Sequence, residues 1–405
     1  MSAAEPRIAD RVRRIKPSPS SAAADRAGAL RREGRSIVSL VVGEPDFDTP
    51  APIRRAAAEA MERGATRYTM LAGTPELRQA IAAKLKRENG LDYDPRDIVV
   101  TNGCKSAIYS AWEATLEPGD EVIIPAPYWV SYPDMALACG GTPICLPCPE
   151  GQGFKLAPAQ LAAAITPRTR WLVLNSPGNP TGATYSPAEW RALADVLRGH
   201  PRVLVMTDDI YEHIRFGAEG PAPHLLAAAP ELRDRTLAIN GVSKTYAMTG
   251  WRIGWAAGPR DIVDALATLL SQAAGNACSV SQAAAVEALN GDQSFVAASV
   301  ATYRARRDRM AARINAIPGL RCTPPEGAFY LYVDCAGLIG RQTPEGRVLT
   351  SDHDVVMHLL ESVGVALVPG AAYGLSPYFR LSIAASADIL DEGADRIARA
   401  VAALR

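Results

Sequence analysis

The feature that most constrains the fold is a series of short apolar runs that do not alternate with polar residues. Ile98–Thr101, Glu121–Ile124, Trp171–Leu174, Val203–Met206 and Thr236–Ile239 are each continuously apolar or rich in β-formers. A strand with water on one face alternates, whereas a strand buried on both faces need not; that is the situation in a parallel sheet covered by helices. Helix-length segments separate or flank the runs, among them Ile53–Glu62, Leu77–Glu88 with Thr74 as its N-cap, and Pro187–Leu197. The pattern predicts an α/β fold with a mainly parallel central sheet. Ile37–Val42 reads as a further strand ahead of that series.

The last third changes character. A long helical pattern over Phe295–Ile317 precedes strand-like Phe329–Val333, a helix near Val355–Val363 and strand-like Tyr378–Ile383, the make-up of a smaller α+β unit. A length of 405 residues suits two domains. The expected division is a flexible tail or short docking arm over 1–14, a segment over 15–47 that packs with the small domain, a large domain over 48–290 and a small domain over 291–405.

Composition excludes several classes of function. The chain carries 43 basic and 43 acidic residues and no net charge, so it has no electrostatic footprint for nucleic acid or an anionic membrane. No apolar run reaches the roughly 18 residues of a membrane helix, and Met1–Ser21 lacks the apolar core of a signal peptide. Seven scattered cysteines point to a reducing cytoplasm. Cys145 and Cys148 form one C-x-x-C without a second pair or a ligand-spaced His, and no metal site is expected. Only six of the basic residues are lysines: Lys16, Lys84, Lys86, Lys105, Lys155 and Lys244. An arginine-favouring genome accounts for the bias, but each remaining lysine raises the question of what arginine could not do there.

In an open parallel sheet, ligands bind beyond the carboxyl ends of the strands. After Ile98–Thr101 comes Asn102-Gly103-Cys104-Lys105-Ser106, a small-residue turn whose backbone N–H groups suit a phosphate. After Trp171–Leu174 a Pro- and Gly-rich turn presents Asn179. After Val203–Met206 come Asp208, Asp209 and Tyr211, and after Thr236–Ile239 come Ser243, Lys244 and then Arg252. Singly, each has an ordinary structural reading as a turn, a helix cap or a solvated side chain. There is no G-x-G-x-x-G after the first strand and no G-x-x-x-x-G-K-[ST], which argues against nicotinamide and nucleotide cofactors. Together and in this order they suit pyridoxal 5′-phosphate. Its aldehyde needs a lysine amine, its pyridine nitrogen a buried carboxylate, its phenolic oxygen Tyr and Asn, and its phosphate Ser, Arg and backbone N–H.

With these residues in place, the chain resembles the class I, fold-type I pyridoxal-phosphate-dependent aminotransferases from Ile15 to about Ile397. Within that family it is most similar to the bacterial aspartate and aspartate/prephenate enzymes. Val42-Gly43-Glu44-Pro45-Asp46-Phe47, Ser176–Gly182, Asp208–Glu212 and Ser243–Gly254 carry the resemblance. It implies a large domain with a mainly parallel central sheet plus a smaller α+β domain. It makes Lys244 the Schiff-base lysine and proton shuttle, and Asp208 rather than Asp209 the partner of the pyridine nitrogen. Tyr211 and Asn179 become ligands of the phenolic oxygen. Ser243, Arg252 and Gly103, Cys104 and Lys105 become the phosphate cradle, and Trp129 the ring that stacks on the cofactor. Arg380 would grip the substrate α-carboxylate, helped by Asn179 and the Gly43 backbone. Tyr68 would reach the phosphate of a partner subunit, which implies a homodimer with shared sites. Relatives of another branch bind the distal carboxylate of aspartate with a partner arginine; Ser271–Ser279 here holds Asn276 and no Arg, and Lys105 stands at the place where the chain's own branch uses lysine. A solvated first-turn side chain is the plainer reading of Lys105, but the scarcity of lysine in the chain favours a ligand role.

The implied reaction is a ping-pong transamination of L-aspartate with 2-oxoglutarate, with prephenate as an additional acceptor. An aromatic or alanine-type aminotransferase or a C–S lyase would share every cofactor contact, and a non-catalytic cofactor-binding sensor is the reading from a different class.

Overall fold

The computed structural model describes residues 7–17 and 19–405. Seven strands form the central sheet in the order Ile98–Thr101, Gly254–Ala257, Thr236–Gly241, Leu204–Asp208, Thr169–Asn175, Glu121–Ala126 and Thr142–Pro147. Gly254–Ala257 runs antiparallel to both of its neighbours, and every other pairing in the sheet is parallel. Neighbouring residues of one strand enter different helical layers. Leu172 and Leu174 belong to one apolar cluster with Ile81, Trp190 and Leu193, while Trp171 and Val173 belong to another with Trp112, Ile108 and Leu266. Burial on both faces is the physical reason the runs do not alternate.

The expected elements are present, with the strand ends extended toward the site. Helices span Ala51–Glu62, Pro75–Asn89 and Pro187–Arg198, and the Thr74 side chain accepts from Leu77 N at 3.3 Å as an N-cap. Thr142–Pro147 and Gly254–Ala257 are strands that the apolar pattern did not mark; Thr142–Pro147 is an edge strand with no fully buried residue, so it lacks the double-sided signature.

A second, antiparallel sheet orders Val368–Pro369, Tyr378–Ser382 and Tyr330–Asp334, backed by the helices Ser294–Asn315, Asp352–Val363 and Ala387–Ala402. The strand expected over Ile37–Val42 is only Val38–Ser39, paired in parallel with Val365–Ala366. Beyond it the chain makes isolated contacts instead of a ladder: Leu40 N donates to Ala366 O and Leu40 O accepts from Ser382 N. Farther along, Asp46 takes a two-pronged contact from Arg306 at 2.7 and 2.8 Å. The segment over 1–14, expected as a loose tail or a short docking arm, is described from residue 7 onward. Asp10–Arg13 forms one helical turn beside the helix Tyr132–Ala138, and Lys16 N donates to Asp134 Oδ1 at 3.0 Å; residues 1–6 lie outside the described part.

Candidate active site

The carboxyl ends of the parallel strands are level, because Asn175 pairs in register with Asp208 and Asp208 with Ile239. The reversed strand adds its amino end at the same edge: Gly254 lies opposite both Thr101 and Gly241. That reversal brings Arg252, just ahead of the strand, to the turn after Ile98–Thr101. Between this edge and the second sheet lies a cavity of about 220 Å³. Gly43, Cys104, Lys105, Trp129, Asn179, Asp208, Tyr211, Ser243, Lys244, Arg252 and Arg380 all line it.

Lys244 Nζ donates to Gly43 O at 2.6 Å. Burial in the cavity lowers its amine from the ordinary lysine range to about 8, so a neutral, nucleophilic fraction exists near neutral pH. Asp208 is 5% exposed and accepts from the Tyr132 hydroxyl at Oδ2, 2.6 Å away. Burial raises its carboxyl to about 6 against the opposing pull of the Tyr132 hydrogen bond. Tyr211 and Tyr330 share a hydroxyl–hydroxyl contact of 2.8 Å. Arg380 is 2% exposed, donates to Asn179 Oδ1 at 3.0 Å and Val41 O at 2.6 Å, and lies over the Tyr330 ring at 4.3 Å. Asn179 is held in turn through its backbone N–H by Asn175 Oδ1 at 2.8 Å.

Two expected residues stand off the cavity wall. Gly103 lies behind Arg252; with φ +84°, it holds a conformation that favours glycine, and a Cβ there would meet the guanidinium. Tyr68 is 96% exposed. Lys105 stands on the first turn of the helix Cys104–Thr115, solvent-exposed as a residue but with Nζ 4.9 Å from the centre of the Trp129 ring and lining the cavity. Burial, with Arg252 nearby, lowers its pKa. Tyr132, Tyr330 and Asn175, the last residue of its strand, join the site beyond the residues expected there. Tyr132 and Tyr330 read as ordinary core aromatics, and nothing in local spacing reveals that their hydroxyls meet Asp208 and Tyr211.

The donor set can be tested against the cofactor named by the sequence. Asp208 Oδ1 and Arg380 Nε are buried side-chain atoms with no hydrogen-bond partner, on residues that line the cavity. Such atoms are rare in folded proteins and are expected where a ligand completes them. A protonated ring nitrogen fits Asp208, and a carboxylate fits the remaining face of Arg380. The turn from Gly103 into the helix Cys104–Thr115, with Ser243 and Arg252, has the amides and charge that suit a phosphate. Gly254 is required beneath it, since a Cβ there would approach Cys104 N to 2.5 Å. The residues fit pyridoxal phosphate.

The raised carboxyl gives a pH-dependent prediction. Native Asp208 holds its proton up to about 6, whereas an unfolded Asp releases it near 4, so this group's contribution to stability falls as pH rises through that window. Asp208→Asn therefore stabilises the cofactor-free protein by roughly 1–3 kcal/mol at pH 8 and by much less at pH 4.5. Urea unfolding at both pH values measures the difference; an equal gain at both pH values refutes the burial penalty.

A parallel sheet with a buried lysine and an unsatisfied carboxylate at its carboxyl edge defines an α/β enzyme built for amine and carbonyl chemistry. The family model for class I and II aminotransferases matches residues 35–397, and the chain belongs to that family. A probable aspartate/prephenate aminotransferase of Rhizobium leguminosarum bv. phaseoli is 50% identical over 392 residues, 97% of this chain and 98% of that protein. The aspartate/prephenate aminotransferase of Cereibacter sphaeroides is 50% identical over 391 residues, 96% and 97% of the two chains. The solved aspartate aminotransferase of Rhizobium meliloti has a TM-score of 0.96 at 48% identity, covering 98% of this chain and 100% of that one. The Thermus thermophilus aspartate aminotransferase with maleate has a TM-score of 0.89 at 39% identity, covering 97% and 99%.

Proposed function

We propose that the protein transfers the amino group of L-aspartate to 2-oxoglutarate through pyridoxal 5′-phosphate, with prephenate as a further acceptor. The observation that carries the reading is the pair of unsatisfied buried atoms, Asp208 Oδ1 and Arg380 Nε, on one cavity with the Lys244 amine. When bound, pyridoxal phosphate supplies a carbon that accepts the amino group and a ring that takes up the electron pair released at the substrate Cα. Asp208 keeps a proton on the ring nitrogen by offering Oδ1, while Tyr132 holds Oδ2. Lys244 is the proton carrier: its lowered pKa would allow the amine to take a proton at the substrate Cα and return it on the cofactor carbon that holds the amino nitrogen. Arg380 and Asn179 orient the α-carboxylate. Tyr211, Ser243, Arg252, Cys104 and the Gly103 turn would hold the cofactor, and Trp129 would supply the aromatic surface for its ring.

Lys105 is assigned to the distal carboxylate. Support comes from its ammonium over Trp129 at the cavity and from the aspartate specificity named for the relatives. Lys105→Ala lowers kcat/KM for aspartate by about 10- to 100-fold, as expected for a lost charged hydrogen bond, and spares alanine and aromatic donors. Steady-state kinetics across those donors decide it; unchanged aspartate kcat/KM refutes the assignment. A half-reaction screen, mixing the cofactor-loaded enzyme with each amino acid and following conversion to the pyridoxamine form, tests the donor directly. Prephenate added to that form tests the second acceptor.

The reading includes a homodimer, with the large and small domains divided as 48–290 and 291–405 and residues 15–47 joined to the latter. Tyr68, Met70 and Met61 are exposed apolar side chains near one another in sequence, a surface that a second copy would cover. A monomer in sedimentation equilibrium at assay concentration refutes the shared site. A cytoplasmic location accords with seven free cysteines, and no described helix is long and apolar enough to cross a membrane.

A further inference from the structure

We propose that Lys84 and Glu212, buried outside the cavity, are positioning residues that brace the two loops carrying Tyr211 and Lys244. The inference rests on the transamination reading above. Lys84, on the helix Pro75–Asn89, is 1% exposed in a chain with only six lysines. Its Nζ donates to Glu212 Oε1 and to Asn89 Oδ1 at 2.8 Å, with Glu88 Oε2 at 3.5 Å. Two ammonium hydrogens are taken by hydrogen bonds, and the third side of the ammonium has Glu88 within ion-pair range. A guanidinium has five N–H groups in a planar fork and would leave some of them unsatisfied in this site.

Glu212 is 2% exposed and joins two further elements. Its Oε2 accepts from Asn89 Nδ2 at 2.7 Å, and its Oε1 accepts from Asn240 Nδ2 at 2.6 Å. Asn240 turns its own Oδ1 to Gly241 N at 2.7 Å, at the end of the strand that leads to Ser243 and Lys244. On the next residue, His213 Nε2 contacts Glu88 Oε2 at 2.8 Å and Nδ1 contacts Thr245 Oγ1 at 3.2 Å. Glu212 directly follows Tyr211, and Thr245 directly follows Lys244. The network thus clamps the backbone beside both groups from the side away from the cavity.

Glu88, Glu212 and His213 also lie close enough together to hold a cation. The Lys84 ammonium already supplies that charge, so no metal is needed. Burial alone would raise the Glu212 carboxyl, but Lys84 and His213 hold it at about 2. Stability alone is a weak reason for such a pair, since well-packed neutral residues of similar volume often serve as well. Placement of Tyr211 and Lys244 is a stronger one.

The test is the charge-free double variant Lys84→Met/Glu212→Gln. Its cofactor-free form is expected to fold, with amide hydrogen exchange at 210–213 and 241–246 faster by about tenfold and the strand Thr169–Asn175 unchanged. With cofactor, kcat for aspartate falls about 10- to 100-fold, the cost of a small misplacement, while KM stays within about threefold. A folded double variant with normal kcat or unchanged exchange overturns the brace. Should it not fold, Thr245→Val cuts only the link to His213; the same kcat-only loss supports the proposal, and unaltered kcat overturns it. A wild-type enzyme inert toward aspartate overturns the transamination reading instead, and the exchange comparison still decides the brace.

Discussion

Lys244→Ala abolishes transamination, lowering kcat by on the order of 10⁴-fold or more, and leaves the protein folded. Two contributions are lost together: the amine that binds the cofactor aldehyde and the base that moves the substrate proton, the latter alone worth roughly 10²- to 10⁴-fold. Stability is expected to hold or rise, because the amine is partly desolvated and depressed to about 8. Between about 8 and the ordinary lysine range the unfolded chain binds the proton that the native chain has lost. Native stability therefore rises with pH across that interval, and below it the native state bears the cost of a charged, desolvated amine. Alanine removes that cost along with one bond to Gly43 O. Stopped-flow absorbance of the cofactor and thermal unfolding at pH 7 measure both effects. Retained steady-state turnover would overturn the role of Lys244 outright.

Arg380→Leu is the second large effect. Arg380 is almost fully buried, yet no carboxylate pairs with it among the described residues; two oxygen acceptors and two aromatic rings carry its charge. A buried cation without an anion is costly in the free protein and valuable when a substrate carboxylate arrives. The variant should lose about 10²- to 10³-fold in kcat/KM for every amino-acid donor, in line with the 2–5 kcal/mol expected for truncating a buried charged contact. Most of the loss falls on KM, since the α-carboxylate is gripped in the ground state as well as during reaction. The melting temperature of the free protein should not fall by more than a few degrees. Arg380→Lys keeps the charge and loses the planar fork, so it recovers only part of the loss. A variant with normal KM for aspartate and alanine assigns the α-carboxylate to another group.

These predictions divide between what local sequence encodes and what distant parts of the chain create. The apolar runs and their spacing determined the α/β sheet, because residues a few positions apart must satisfy burial on two faces at once. Asn179, Asp208, Tyr211, Ser243 and Lys244 were legible for a related reason: each lies within a few residues of a strand end, and parallel strands place all such ends at one edge. The tertiary structure decided how the other site residues meet. The reversed strand Gly254–Ala257 brought Arg252 to that edge, and the second sheet brought Arg380 and Tyr330 over the cavity. Tyr132 found Asp208 across 76 positions and Lys84 found Glu212 across 128. No periodicity links residues so far apart. Their pairing follows from the path of the chain, which local burial restricts without choosing. The sparse lysines marked Lys244 as a candidate amine, but only the fold revealed that Lys84 is buried against a carboxylate and Lys105 faces the cavity.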